Sequence, residues 1–226
     1  MVTSIIVTLS LWGLVGLFKL FEKWQERKQD KTVQRFTESR PSYGIMTIFK
    51  PPSQEVREQI ERLIIDFGYE ITSTTAKNTS FDKWNDHVYF DSKKSKKGII
   101  ELDQVVVFND PEFVVIVYDD QISKLSGILD CRIIVSIWER ISSSIIFAEY
   151  EHGKLISSTS IVEGKQDGNN QNPHKGLLKH PDEAKLKATL LEKGLNTHEL
   201  FYKNGLTITE YSLLDREESN AANTNL

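Results

Sequence analysis

Residues 133–162, IIVSIWERISSSIIFAEYEHGKLISSTSIV, decide the fold of this chain of 226 residues. Three runs rich in β-branched and aromatic residues, 133–140, 144–150 and 155–162, are separated by short polar segments, which is the pattern of successive strands. Glu151-His152-Gly153-Lys154 has the length and the glycine of a tight hairpin. The stretch therefore predicts an antiparallel meander of three strands.

The segment before this meander begins with a strand and a helix. Residues 43–49 are β-rich and stop at Pro51-Pro52. Ser53 is a favourable N-cap, and apolar residues then recur at helical spacing up to Gly68, which suits the C′ position. Residues 69–75 alternate like a strand, so we expect a strand–helix–strand unit with its two strands side by side or close together.

The central part of the chain shows further strand and helix patterns. Runs at 87–91, 99–108 and 112–118 are separated by turn residues and predict strands, whereas 77–86 is polar and predicts a loop. A basic run, Lys93, Lys94, Lys96 and Lys97, lies between two of these strands and predicts a solvated hairpin loop. Residues 120–129 predict a short helix with Ile122, Leu125 and Ile128 or Leu129 facing inward.

The C-terminal third contains a loop, a helix and one more ordered segment. Residues 164–176 are rich in Gly, Asn and Gln and predict a loop, and 181–193 predict a helix that is followed by Gly194. Residues 206–214 predict a strand or a short amphipathic piece. The whole pattern indicates an α+β fold, with two to three helices packed on one face of a mainly antiparallel sheet and one transmembrane helix before it.

The N-terminal segment has the composition of a membrane anchor. Residues 1–18 contain no charged side chain, and residues 19–40 carry seven Lys and Arg. As a helix, residues 2–18 would span about 26 Å, close to the hydrocarbon thickness of a bilayer. Trp12, Lys19, Lys23 and Trp24 suit the interface with the headgroups. A cleaved signal peptide would need a basic start, and no Lys or Arg precedes Val2. A buried core helix would show a single apolar stripe, whereas here the apolar residues run around all faces.

These patterns divide the chain into a transmembrane anchor (1–21), a charged juxtamembrane helix or stalk (22–40), an α+β domain (41–214) and a disordered tail (215–226). The basic residues follow the apolar stretch, so the positive-inside rule predicts a single-pass protein with its N-terminus outside and its domain in the cytoplasm. A single cysteine, Cys131, excludes an internal disulfide and agrees with that compartment. The net charge of −4 argues against a nucleic-acid-binding domain.

Two pairs of catalytic candidates emerge from the sequence. Asp119 and Asp120 follow an apolar run and open a predicted helix, where catalytic carboxylates lie in many folds, although acidic residues at this position also cap helices. Ser80 and Lys83 match the spacing of a serine–lysine dyad, which needs a buried lysine and hence a buried helix. Trp84, Trp138 and Tyr150 could line a pocket, although aromatic residues at such spacings more often belong to a core.

No cofactor or metal site is predicted. The five histidines are scattered, Cys131 has no partner cysteine, and the chain contains neither H-E-x-x-H nor a phosphate-binding glycine loop. We therefore expect a membrane-anchored module that binds an unknown protein partner, as adaptor, assembly and immunity factors do. The alternative is a membrane-anchored enzyme, such as a hydrolase that uses Asp119 and Asp120. A cleft that joins two or more of Asp119, Asp120, His87 and His152 would favour the enzyme, and an exposed apolar patch would favour the module.

Overall fold

One antiparallel sheet of nine strands organises the computed structural model, which describes residues 42–89, 95–166, 170–179 and 181–215. The strands lie in the order β2-β9-β3-β4-β1-β5-β6-β7-β8, and each neighbouring pair is antiparallel. This arrangement confirms an α+β fold built on a mainly antiparallel sheet. The strands are β1 (Tyr43–Ile48), β2 (Tyr69–Thr79), β3 (Ser95–Glu101), β4 (Val106–Asn109), β5 (Ile133–Glu139), β6 (Ser144–Glu151), β7 (Lys154–Val162), β8 (Lys165–Gln166) and β9 (Leu206–Asp215).

Helices cover both faces of the sheet. Those within the described residues are α1 (Gln54–Asp66), α2 (Phe81–Tyr89), α3 (Asp119–Leu129), α4 (Lys175–Lys179), α5 (Glu183–Glu192) and α6 (Thr197–Tyr202). Apolar side chains of α1 and α3 pack on what we call the first face, and those of α2, α4, α5 and α6 pack on the second face. The expectation of two to three helices on one face was therefore wrong, and the fold has three layers.

The alternation of side chains along the central strands explains this layering. In β5, Ile133 and Val135 belong to the core of the first face, and Ile134 belongs to the core of the second. Successive residues of a strand point to opposite faces, so a continuous apolar run is needed where both faces are covered. The apolar runs of β1, β4 and β5 thus supply two separate cores.

Several predicted elements are confirmed. Helix α1 begins after Ser53, whose Oγ accepts a hydrogen bond from the backbone N–H of Val56 at 3.3 Å. The meander of β5, β6 and β7 is present, and its second turn has positive φ at both His152 (48°) and Gly153 (79°). Positive φ at both central residues is typical of a type I′ turn, whose twist matches that of the flanking strands. The final segment is a strand, β9.

Other elements differ from the prediction. The segment predicted as a loop at 77–86 completes β2 and begins α2, and the start of the strand predicted at 87–91 belongs to α2 as well. Phe81, Trp84 and Val88 recur at helical spacing and are buried on the second face, so tertiary packing overrides the polar composition. The run at 99–108 is a hairpin, in which the N–H of Leu102 donates to the carbonyl of Val105 at 3.0 Å.

Strand order also departs from expectation. Strand β2 does not lie beside β1, because β9, β3 and β4 separate them. Strand β9, the last element along the described chain, is inserted between β2 and β3 and pairs with both. An insertion of this kind leaves no local signal in the sequence, because the paired residues are far apart along the chain.

The predicted anchor and stalk lie outside the described residues, together with Trp12, Lys19, Lys23 and Trp24. Of the tail predicted at 215–226, Asp215 is the last residue of β9, and residues 216–226 lie outside the described ranges. None of the helices in the described ranges combines the length and the apolar character that a bilayer crossing requires.

Candidate functional site

Residues 113–118, which we call the 113–118 loop, form turns and not the strand that their apolar sequence predicts. Phe113 has a φ of 61°, a left-handed conformation that a non-glycine residue adopts only when its surroundings require it. Val115 and Ile116 are buried in the core of the first face. Val114, Val117 and Tyr118 remain 36%, 46% and 52% exposed, so the loop presents three apolar side chains to solvent.

A buried ion pair holds this loop. Asp110 is fully buried, accepts a hydrogen bond from the Nζ of Lys97, and accepts a second one from the backbone N–H of Val115 at 2.6 Å. The same Nζ lies 2.8 Å from Oε2 of Glu112, which also accepts from the hydroxyl of Ser95 at 2.6 Å. The carboxylate of Asp110 therefore links β3 directly to the backbone of the 113–118 loop.

The environment of Lys97 corrects the prediction of a solvated basic loop. Lys97 lies within β3 and its side chain is fully buried, because two carboxylates compensate for its lost hydration. Lys96 is also in β3, with its Nζ 3.9 Å from Glu210. Lys93 and Lys94 lie outside the described residues.

The pKa values of Lys97 and Glu112 shift in the directions expected for an ion pair. Burial by itself lowers the pKa of Lys97, but attraction to Asp110 and Glu112 outweighs it and raises the net pKa. Burial raises the pKa of Glu112, but the charge of Lys97 and the hydrogen bonds from Lys97 and Ser95 outweigh it and lower the net pKa. Both groups are therefore held in their charged forms.

A cleft of about 210 Å³ opens beside the 113–118 loop on the first face of β5, β6 and β7. Its floor is largely apolar, and hydroxyl and amide groups of β7 and of the following loop lie along one side. The lining residues are Ile116, Val117, Asp119, Val135, Ile146, Ala148, Tyr150, Ser158, Thr159, Ser160 and Asn170. The exposed Val117 belongs both to the loop and to the cleft, so the two form one continuous surface.

Asp119 is the only carboxylate in the lining of this cleft, and Tyr150 orients it. The hydroxyl of Tyr150 donates a hydrogen bond to Oδ1 of Asp119. Burial, and then the bond to Asp119, raise the pKa of Tyr150, which therefore stays neutral. Neither aspartate is the N-cap of α3, which is Tyr118 without a side-chain cap bond, but Asp119 and Asp120 both lie in the first turn, where a carboxylate interacts favourably with the helix dipole.

The other candidates for an acid–base site do not join Asp119. Asp120 is exposed and does not line the cleft, and His87 lies on α2, on the opposite face of the sheet. His152 is in the β6–β7 turn, where its Nδ1 lies 2.8 Å from Oδ1 of Asp130. The described lining therefore pairs its one carboxylate with a neutral tyrosine and with no histidine.

The contact between Ser80 and Lys83 involves the backbone of Lys83 and not its side chain. Oγ of Ser80 lies 3.4 Å from the backbone nitrogen of Lys83 at the start of α2, which is the geometry of a helix cap. The side chain of Lys83 is exposed, so it lacks the burial that would deprotonate a catalytic lysine. Of the three aromatic candidates, Tyr150 lines the cleft, whereas Trp84 and Trp138 pack against the core of the second face.

The other possible sites are smaller or incomplete. A hollow of about 80 Å³ lies between α1 and α3 and has a mixed lining of charged, amide and apolar side chains. Across the described ranges, no three His, Cys, Asp or Glu residues are placed to hold a metal ion. Burial raises the pKa of the Cys131 thiol to about 11, which leaves it protonated and unreactive at neutral pH.

Comparison of the chain with protein-family models, with curated proteins and with solved structures found no significant match.

The buried ion pair that holds the 113–118 loop predicts a large loss of stability for Lys97→Met. This substitution leaves the buried carboxylate of Asp110 without its counter-charge, which costs about 3–5 kcal/mol of unfolding free energy. Chemical denaturation of the full chain measures the loss. The double variant Lys97→Met/Asp110→Asn removes the unpaired charge and should recover part of it. A double variant as unstable as the sum of the two single variants would contradict the coupling.

Glu112 predicts a pH-dependent contribution to stability. Its pKa is lowered in the folded protein, so its contribution is present above the unfolded value of about 4.3 and is lost as pH falls through the folded value. Denaturation from pH 7 to pH 3 should therefore show a difference between wild type and Glu112→Gln that shrinks in acid. The exposed Glu151→Gln serves as the control, and an equal shrinkage there would contradict the assignment.

Proposed function

We propose that the chain is a membrane-anchored protein-interaction module, in which the 113–118 loop and the adjoining cleft bind a partner protein. The observation that carries the proposal is that a buried ion pair fixes a loop with three exposed apolar side chains. Exposure of apolar surface to water is unfavourable, and the buried contacts of Asp110 and Val115 offset this cost by holding the loop in its conformation. A fixed, exposed apolar patch beside a concave surface is typical of a protein-binding site.

The rigidity of the loop supports this role. Val115 and Ile116 pack into the core of the first face, and the backbone N–H of Val115 is bound by Asp110. These contacts hold Val114, Val117 and Tyr118 before any partner arrives. A surface that is ordered in advance loses less conformational entropy on binding, so more of the interaction energy appears as affinity.

The charges of the site define the chemistry of the partner. Asp119 and Asp120 follow Tyr118 directly and are both exposed, and the lining of the cleft contains no Lys or Arg. The complementary surface would therefore present apolar side chains together with a Lys or Arg. The cleft suits such a side chain, because its aliphatic stem would cover the apolar floor while its cationic group approaches Asp119.

The membrane anchor is part of the proposal. The uncharged residues 1–18, followed by seven basic residues, support a single-pass anchor at 1–21 with the N-terminus outside and the domain in the cytoplasm. Such an anchor would restrict the partner to proteins that reach the same membrane face. The enzyme alternative stays an untested prediction. The lining of the cleft does not favour it, because Asp119 meets neither a histidine nor Asp120 there.

Val117→Asp tests the binding surface. A carboxylate in the centre of an apolar contact should weaken binding about tenfold or more, because it must be desolvated without a counter-charge. Partners that co-purify with the full chain from detergent extracts would be quantified by mass spectrometry and then rebound as purified proteins. Binding should be lost with Val117→Asp and retained with Leu191→Asp, an equally drastic change at an exposed leucine of α5 on the opposite face.

Two matched variants test whether the cleft prefers a partner with a Lys or Arg side chain. Asp119→Lys should weaken binding of the same partner more than Asp120→Lys, because only Asp119 lines the cleft. Circular dichroism would establish that each variant is folded. Retention of every partner by folded Val117→Asp would overturn the proposed surface.

The anchor predicts that the full chain stays with membranes after washing at alkaline pH. Leu11→Arg places a charge at the centre of the span and costs about 2.5–3.5 kcal/mol of insertion free energy. This variant should therefore shift toward the soluble fraction, whereas Ser39→Arg in the stalk should not. A wild-type chain that is already soluble after cell lysis would contradict the anchor.

A further inference from the structure

The two edges of the sheet differ in how far their backbone groups are hydrogen-bonded. At one edge, the backbone of β7 is covered by β8 and by residues 170–172. The N–H of Ser158 donates to the carbonyl of Gln171 at 2.6 Å, and the N–H of Ser160 donates to Oδ1 of Asn170 at 2.7 Å. Amide side chains of Gln171 and Asn172 donate to further carbonyls of β7. This edge has few backbone groups left for another strand.

The opposite edge is open among the residues that the structure describes. Strand β2 pairs with β9 on one side, and no strand in the described part of the chain pairs with its other side. All seven residues from Thr72 to Asn78 are exposed, so neither helical layer covers this part of β2. A free edge of this length offers a row of unpaired N–H and C=O groups to a further strand.

The features that usually protect an edge strand are sparse in β2. Residues 72–78 contain no proline and a single charged side chain, that of Lys77. The irregularity at Thr72, between Ile71 and Ser73, lies at one end of the exposed stretch and leaves residues 73–79 in regular register with β9. The stretch from Ser73 to Asn78 is therefore a regular strand that is ready to pair.

We propose that β2 pairs antiparallel with β2 of a second copy of this chain. Residues 73–77 are both exposed and in regular register with β9, and they are centred on Thr75, so a symmetric pairing of these residues places Thr75 opposite Thr75. The same register places Lys77 opposite Ser73 and Thr74 opposite Ala76, and no two like charges face each other. Opposed threonines are a favourable cross-strand pair, whereas opposed lysines would repel each other.

The chemistry of β2 favours a second copy over a foreign strand. Along residues 72–78 the strand offers backbone groups, hydroxyls, one amide and one ammonium, and none of these residues lines the cleft or the hollow described above. Selection of a foreign strand requires pockets or charges that read its side chains. Self-pairing needs neither, because a two-fold axis perpendicular to the sheet brings identical edges together.

Charge substitutions at Thr75 test this pairing. The full chain in mild detergent would be analysed by size-exclusion chromatography with light scattering over a range of concentrations. Wild type should form a dimer, and Thr75→Lys should raise its dissociation constant about fivefold or more, because two lysines then face each other. Thr75→Glu alone should have the same effect, whereas an equimolar mixture of the two variants should recover the dimer.

The mixture separates pairing through β2 from dimerisation through any other part of the chain. Thr207→Lys, an exposed change on β9, should leave the dimer unaffected. A monomer at every concentration would overturn the proposal, as would a dimer that is indifferent to Thr75→Lys. Pairing with a foreign strand would appear as a monomer that loses a partner upon Thr75→Lys.

Discussion

The contact between Lys97 and Asp110 determines the conformation of the part of the molecule to which we assign function. Its two charges are completely buried, and such a pair is retained only when each member is fully compensated. Asp110 meets this condition by binding the Lys97 ammonium with one oxygen and the backbone of Val115 with the other. The charge on β3 thereby positions the turn that follows β4, and this turn leads directly into α3 and the cleft.

The position of the cleft follows from the way in which helices cover the first face. Helices α1 and α3 contribute the apolar side chains of that face, whereas the cleft over β5, β6 and β7 remains open. The 113–118 loop forms one wall of this gap, and the loop at Asn170 lies on the other side. The second face, by contrast, is packed by four helices. The site is thus the place where the three-layer arrangement is incomplete.

The elements that the sequence predicts well are those with local signals. Ser53 caps α1, and His152 with Gly153 forms a turn whose conformation follows from two residues. Prediction failed where distant residues decide the structure. Residues 113–118 have the composition of a strand, but Asp110, which is paired with Lys97 of β3, binds the backbone of Val115 and holds them as a loop. Lys97 similarly resembles a surface residue in the sequence, because its burial depends on the contact between β3 and the turn after β4. The position of Asp119 in the sequence makes it a candidate site residue, whereas its contact with Tyr150 joins residues 31 apart along the chain and has no local signal.

The amide side chains along β7 have a consequence for larger assemblies. Sheets that are open at both edges can add chains in both directions and grow into filaments, which is the route to amyloid-like aggregation. Here Asn170, Gln171 and Asn172 bond to the outer side of β7, which leaves few backbone groups at that edge for a further strand. If β2 pairs with a second copy as proposed, the other edge of each chain is therefore poorly suited to continue the sheet. Residues 170–172 would thus limit the assembly to two copies.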